Sequence, residues 1–123
     1  MKRKELGYFG EEQASAYLEC KQFIILERNY YTRFGEIDII AKKKINTSWE
    51  YVFFEVKTRR GNEEANIFDN INQKKLKNFR KTCEYYCLIN GILDEGIRMD
   101  LIGVLVDNIH TVKIIHEENI WGW

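Results

Sequence analysis

Gly35-Glu36-Ile37-Asp38-Ile39-Ile40-Ala41 and Phe53-Phe54-Glu55-Val56-Lys57 place charged side chains at alternating positions inside two strongly apolar runs. Burying Ile, Val and Phe stabilises a strand, whereas burying an unpaired charge costs several kcal/mol. Asp38, Glu55 and Lys57 are therefore unfavourable for folding alone, which points to chemistry. Side chains alternate across a strand, so Glu36 and Asp38 are expected on one face, with Ile37 and Ile39 on the other. The same rule groups Glu55 with Lys57, opposite Val56. If the two strands pair as a hairpin, Asp38 and Glu55 meet on one side of the sheet. Two carboxylates brought together raise a pKa unless a cation lies between them. A hard divalent ion is the natural partner, because Mg²⁺ takes one or two carboxylates together with waters and phosphate oxygens. A neighbouring lysine can orient or deprotonate an attacking water, or offset charge developing on a phosphate. Taken singly, each motif also reads as an ordinary ion pair on a half-exposed strand. The combination of turn glycine, Glu-x-Asp and Glu-x-Lys inside apolar runs favours a site for metal-assisted phosphodiester hydrolysis.

These residues need elements to hold them. Apolar positions at Phe9, Ala14, Ala16, Tyr17 and Leu18 predict a first helix from about Leu6 to Cys20. Strands are expected at Phe23–Tyr31, Glu36–Lys42 and Glu50–Thr58, with Gly35 marking one turn and polar Lys43–Ser48 another. Leu76, Phe79, Cys83, Tyr86 and Cys87 recur at helical spacing, predicting a second helix over Asn72–Asn90, with Gly91 as its stop. Its other face is read as carrying Lys75, Lys77, Arg80 and Lys81. Ile97–Val106 and Thr111–His116 complete the pattern as strands joined by a tight turn at Asp107-Asn108. The order α-β-β-β-α-β-β predicts an α/β fold, a mixed sheet flanked by helices. Runs such as Tyr51-Val52-Phe53-Phe54 predict central strands covered on both faces.

The 123 residues suit one compact domain, and hydrophobic residues at 45% exclude a disordered chain. No apolar run approaches the roughly 20 residues that cross a bilayer, and the charged start Met1-Lys2-Arg3-Lys4-Glu5 lacks a signal peptide's apolar stretch. The expected location is cytoplasmic, without membrane attachment. Cys20, Cys83 and Cys87 form no close-spaced framework, which fits a reducing compartment, and Cys83 and Cys87 read as core thiols. His110 and His116 offer no zinc-ligand spacing. The formal net charge is zero, which weighs against a nucleic-acid binder, although basic clusters occur at Lys2–Lys4, Lys42–Lys44, Arg59-Arg60 and Lys74–Lys81. Trp121 and Trp123 are read as capping the core.

Asp38 followed by Glu55-Val56-Lys57 resembles the PD-(D/E)xK nuclease motif on an αβββαβ core, here with an extra C-terminal strand. More closely, the chain resembles the YraN-like family of endonuclease-fold proteins, which is similar to archaeal Holliday-junction resolvases. The matching pieces are Gly10-Glu11-Glu12-Gln13-Ala14 with Tyr17-Leu18, Ile25-Leu26-Glu27-Arg28-Asn29-Tyr30, the two strand motifs and Arg98-Met99-Asp100-Leu101-Ile102, together spanning nearly the whole chain. The resemblance implies a restriction-endonuclease-like single domain over residues 1–123, with Asp38 and Glu55 as ligands of Mg²⁺ or Mn²⁺ and Lys57 as catalytic lysine. It adds Glu11 as the helix glutamate of the catalytic set, and it places Gln73 and Lys74 near substrate phosphate. The motif's proline is replaced by Ile37. The implied activity is metal-dependent endonucleolytic hydrolysis of DNA, including branched or damaged forms, and a homodimer would gather the scattered lysines onto one surface. The alternative is a nucleic-acid- or partner-binding module that keeps the nuclease fold with little or no catalysis.

Overall fold

A computed structural model describes residues 1–92 and 96–121. Helix α1 (Arg3–Cys20) is followed by β1 (Ile24–Thr32), β2 (Gly35–Ile45), β3 (Ser48–Arg60), α2 (Gln73–Ile89), β4 (Ile97–Val106) and β5 (Val112–Glu117). The strands form one sheet in the order β1-β2-β3-β4-β5. All neighbours are antiparallel except β3 and β4, which run parallel across the α2 crossover. The expected mixed α/β architecture with an extra C-terminal strand is present.

Two cores sandwich the sheet. Leu6, Gly10, Ala14 and Leu18 recur every four residues, so α1 buries a single stripe. Leu6, Ala14 and Leu18 pack against Ile39, Ala41, Val52, Phe54 and Ile102. On the opposite side, Leu76, Phe79, Cys83 and Tyr86 of α2 pack against Ile40, Phe53, Met99 and Leu101. This double cover explains the unbroken apolar runs of β3 and β4. Cys83 and Cys87 are buried here, as their spacing predicts. Asn72 caps α2 by accepting from the Lys75 N–H at 2.8 Å. At its other end Gly91 adopts φ 66°, and the Ile92 N–H bonds the Cys87 carbonyl, closing a left-handed helix stop.

Three local expectations need correction. Strands β2 and β3 run on to Ile45 and from Ser48, leaving only Asn46-Thr47 as the turn. The polar run Lys42–Lys44 stays in strand because Lys42 and Lys44 lie over the Trp49 ring, at 4.3 and 5.1 Å. The β4–β5 connection is a wider loop over 107–111, in which the Asp107 carboxylate accepts from the Ile109 and Thr111 N–H groups. At the C-terminus the core cap is Ile120, which is fully buried. Trp121 is partly exposed with the Arg80 guanidinium 5.1 Å over its ring, and Trp123 lies outside the described residues.

Candidate active site

The site forms where the sheet loses its regular pairing. The β2–β3 ladder ends at Ile39–Phe54, and one further step in that register sets Asp38 opposite Glu55. On the other side, β1 pairs Arg28 with Ile39 and Tyr30 with Ile37, so Asn29 stands opposite Asp38 and neither neighbour makes a ladder pair with it. Asn29 has φ 52°, a left-handed conformation that Asn tolerates better than most residues. The break explains a departure from simple alternation. Ile39 packs in the α1-side core, but Ile37 packs in the α2-side core, so these two do not share a face as expected. Asp38 instead reaches across to β3, where its Oδ2 accepts from the Val56 N–H at 2.7 Å.

Asp38 and Glu55 are 7% and 8% exposed. Burial raises the Asp38 pKa to about 8, and the Glu55 charge adds to the effect, opposed by the Val56 hydrogen bond. Burial likewise raises Glu55, partly offset by Lys75, whose Nζ lies 3.0 Å from Glu55 Oε1. Glu36 adds negative potential at both carboxylates.

Glu11 arrives from α1. Gly10 makes that approach feasible, because a Cβ there would lie 1.8 Å from Thr58 Oγ1 on β3. The Glu11 pKa is raised by burial, opposed by the Arg28 charge and the Asn29 amide. It also feels the charges of Glu36 and Glu55. Lys57 follows Glu55 on β3, and burial and the adjacent Lys75 ammonium lower its pKa. The structure thus brings Glu11, Asp38, Glu55 and Lys57 into one electrostatic neighbourhood.

The adjoining cleft, of about 310 Å³, is lined by residues including Gly35, Glu36, Glu55, Lys74, Lys75 and Asn78. Lys74 therefore faces the cleft. Gln73 lines a neighbouring groove, with Lys74, Leu76, Lys77 and Arg80.

Two participants escaped the sequence reading. Lys75 is exposed on α2, as its charge predicts, but its ammonium turns back to Glu55. It stands four residues before Phe79 and seven before Thr82, both buried, and so on the edge of the packed stripe. That spacing was the available signal. Asn29 was visible only as a weak strand former in the middle of an apolar strand.

The donors are all carboxylate oxygens, two of them nearly buried and held in mutually unfavourable charge. That chemistry fits a hard divalent cation such as Mg²⁺ or Mn²⁺, with Asp38 and Glu55 as the grip. The spacing is open: among the described residues, no three of these acids bring one oxygen each within 4.8 Å.

A second polar cluster does meet that distance, and it includes His116. Asp100, His116 and Glu118 each place a ligand-type atom within 4.8 Å of the others. Asp100 is 0% exposed, and its oxygens are already engaged. Arg98 donates to both of them at 2.9 Å, the Asn119 N–H donates at 2.9 Å, and His116 Nε2 lies at 2.6 Å. Tyr17 Oη sits 2.9 Å from His116 Nδ1. The tautomer that satisfies both contacts protonates Nε2 and leaves Nδ1 to accept from the tyrosine. This is a closed ion-pair network rather than a metal centre.

Residues 10–104 match the description "Uncharacterised protein family UPF0102". A relative from Campylobacter lari is 42% identical, covering 89% of this chain and 91% of its own. One from Syntrophomonas wolfei is 36% identical over 85% and 88% of the two chains. A third, from Fusobacterium nucleatum, is 34% identical over 99% and 96%. The chain belongs to the UPF0102 family. This is the YraN-like, nuclease-fold group that its motifs resemble. The stretch that matches the UPF0102 description holds every residue of the candidate site, from Glu11 to Lys75. No helix among the described residues is long and apolar enough to cross a membrane.

Proposed function

We propose that this UPF0102 protein is a divalent-metal-dependent endonuclease that hydrolyses DNA phosphodiesters, with Asp38 and Glu55 holding Mg²⁺ or Mn²⁺. The observation that carries the reading is the break at Asp38. Two nearly buried carboxylates stand one register step beyond the end of a ladder, with two lysines beside them. A fold that needed these positions only for stability would gain by filling them with apolar side chains.

In the proposed mechanism Asp38 and Glu55 would hold the cation, and Val56 fixes the orientation of Asp38 through its N–H. A bound divalent ion would supply an activated nucleophile and offset charge on the phosphate. Lys57, with its pKa lowered by burial and by Lys75, is suited to take up or hold a proton at the attacking water. Glu11, whose charge is favoured by Arg28 and Asn29, would complete the carboxylate set. Lys74 lines the cleft and Gln73 the adjoining groove, and in this reading both would meet substrate phosphates. The sequence carries no recognition-helix or aromatic stacking signature, which favours recognition of the DNA backbone and shape over base sequence.

The test is incubation with linear, single-stranded and four-way-junction DNA in Mg²⁺ or Mn²⁺. Metal-dependent cleavage should appear and should fall about 100-fold or more in Asp38→Ala and in Lys57→Ala. Junction binding without cleavage, unchanged in both variants, would replace the enzyme with a binding module of the same fold.

A further inference from the structure

Lys75 occupies an unusual position for a helix lysine. Asn72 fixes the first turn of α2 through the Lys75 N–H, and Phe79, one turn on, is buried in the core. The side chain is thereby directed from α2 across to β3, where its ammonium meets Glu55 Oε1 at 3.0 Å. The Glu55 side chain is only 10% exposed, whereas that of Lys75 is 45% exposed and lines the cleft. A carboxylate so buried needs a compensating cation, and Lys75 provides one from a neighbouring element. The Lys75 charge also acts on Lys57, so two positive charges share one end of an acidic site.

An ammonium hydrogen-bonded to a carboxylate oxygen competes with a metal ion for that oxygen. We infer that Lys75 is the resident counter-ion of the site, which an incoming divalent cation must displace from Glu55, releasing the ammonium into the cleft it already lines. This rests on the metal-site reading above. Lys75 is then a positioning residue with two linked effects. It holds the metal-free site together, and it weakens metal binding by the free energy of its own pairing with Glu55. Removing it should lower metal-free stability and at the same time tighten the metal.

A merely structural lysine would not produce that opposition. Full-length wild type, Lys75→Met, Lys75→Arg and Asp38→Asn are titrated with Mn²⁺ by calorimetry and melted with and without the ion. Lys75→Met is expected to melt lower than wild type without metal and to bind Mn²⁺ about tenfold more tightly, the effect of removing one competing charge. Lys75→Arg, whose fork grips a carboxylate more firmly, is expected to keep the metal-free melting temperature and bind Mn²⁺ more weakly. Asp38→Asn should bind least. Equal or weaker Mn²⁺ binding by Lys75→Met overturns the inference while leaving the metal site intact. If Lys75→Met does not fold, unchanged or tighter binding by Lys75→Arg overturns it equally. Absence of Mn²⁺ binding in wild type and both Lys75 variants overturns the metal-site reading itself.

Discussion

Asp38 and Asp100 are both aspartates on interior strands of one sheet, and the protein treats them in opposite ways. Asp100 is fully buried and receives Arg98 twice, His116 and the Asn119 N–H. Burial alone would raise its pKa, but the His116 and Arg98 hydrogen bonds outweigh that and hold it below the usual carboxylate range. Asp38 has one backbone donor and carboxylates for neighbours, and its pKa rises to about 8. A carboxylate surrounded by donors serves the fold. One surrounded by other carboxylates weakens it and awaits a cation. Burial alone would not have separated the two, because both fall among the buried polar residues.

The contrast can be broken most forcefully at Asp100. Asp100→Ala strands Arg98 and His116 in a partly buried pocket and should cost about 3–5 kcal/mol, read from urea unfolding. An equal loss in Asp38→Asn would erase the distinction.

Next comes Gly10→Ala, which drives a methyl group into Thr58 and should cost about 1–3 kcal/mol. Because α1 carries both Glu11 and Tyr17, this substitution should disturb the Asp38 site and the Tyr17–His116 contact, while the Arg98–Asp100 pair within β4 is spared. Comparing the histidine resonances of His116 with metal binding would show how far each end moved.

The third effect is pH dependence. The Asp38 carboxyl titrates near 3.8 when unfolded and near 8 when folded, so the folded state binds the extra proton across that window. Its stabilising contribution is full below the lower value and is lost as pH rises through the upper one. Metal-free melting temperature should therefore fall between about pH 4 and pH 8 by several degrees, and Asp38→Asn should flatten the decline and melt higher at pH 8. Asp100 acts with the opposite sign: its folded pKa is depressed, so its contribution holds at neutral pH and is lost only on acidification through that low value.

The smallest effect is Tyr17→Phe, which removes one hydroxyl from His116 and should cost about 1 kcal/mol without altering metal binding.

The sequence disclosed the acidic half of this contrast and concealed the satisfied half. Charged residues inside Ile- and Phe-rich runs are conspicuous because strand burial makes them costly, and this was enough to mark Asp38, Glu55 and Lys57. The element order followed from periodicity, with the caps at Asn72 and Gly91 readable from residue type. The Asp100 network was not readable, because Arg98 and Asp100 alternate on β4 but Tyr17 and His116 join them from α1 and β5 with no shared local spacing. The pairing of Lys75 with Glu55 is hidden for a different reason. The lysine's charge suggests solvent, where it does lie, while its helical phase also sets it at the edge of the stripe that buries Phe79. The two-residue strand period also failed at Asp38, where Asn29 in a left-handed conformation interrupts the ladder.

The hydrogen bond from the Val56 N–H to Asp38 has a spectroscopic consequence. A sheet amide is ordinarily protected by a neighbouring carbonyl, so its exchange with solvent reports on opening of the strand. The Val56 amide is held by a side chain instead, and its exchange rate and nitrogen chemical shift should follow whatever protonates or engages that carboxylate. One backbone resonance, in a protein observed without substrate, would thus serve as a built-in indicator of the charge state of Asp38.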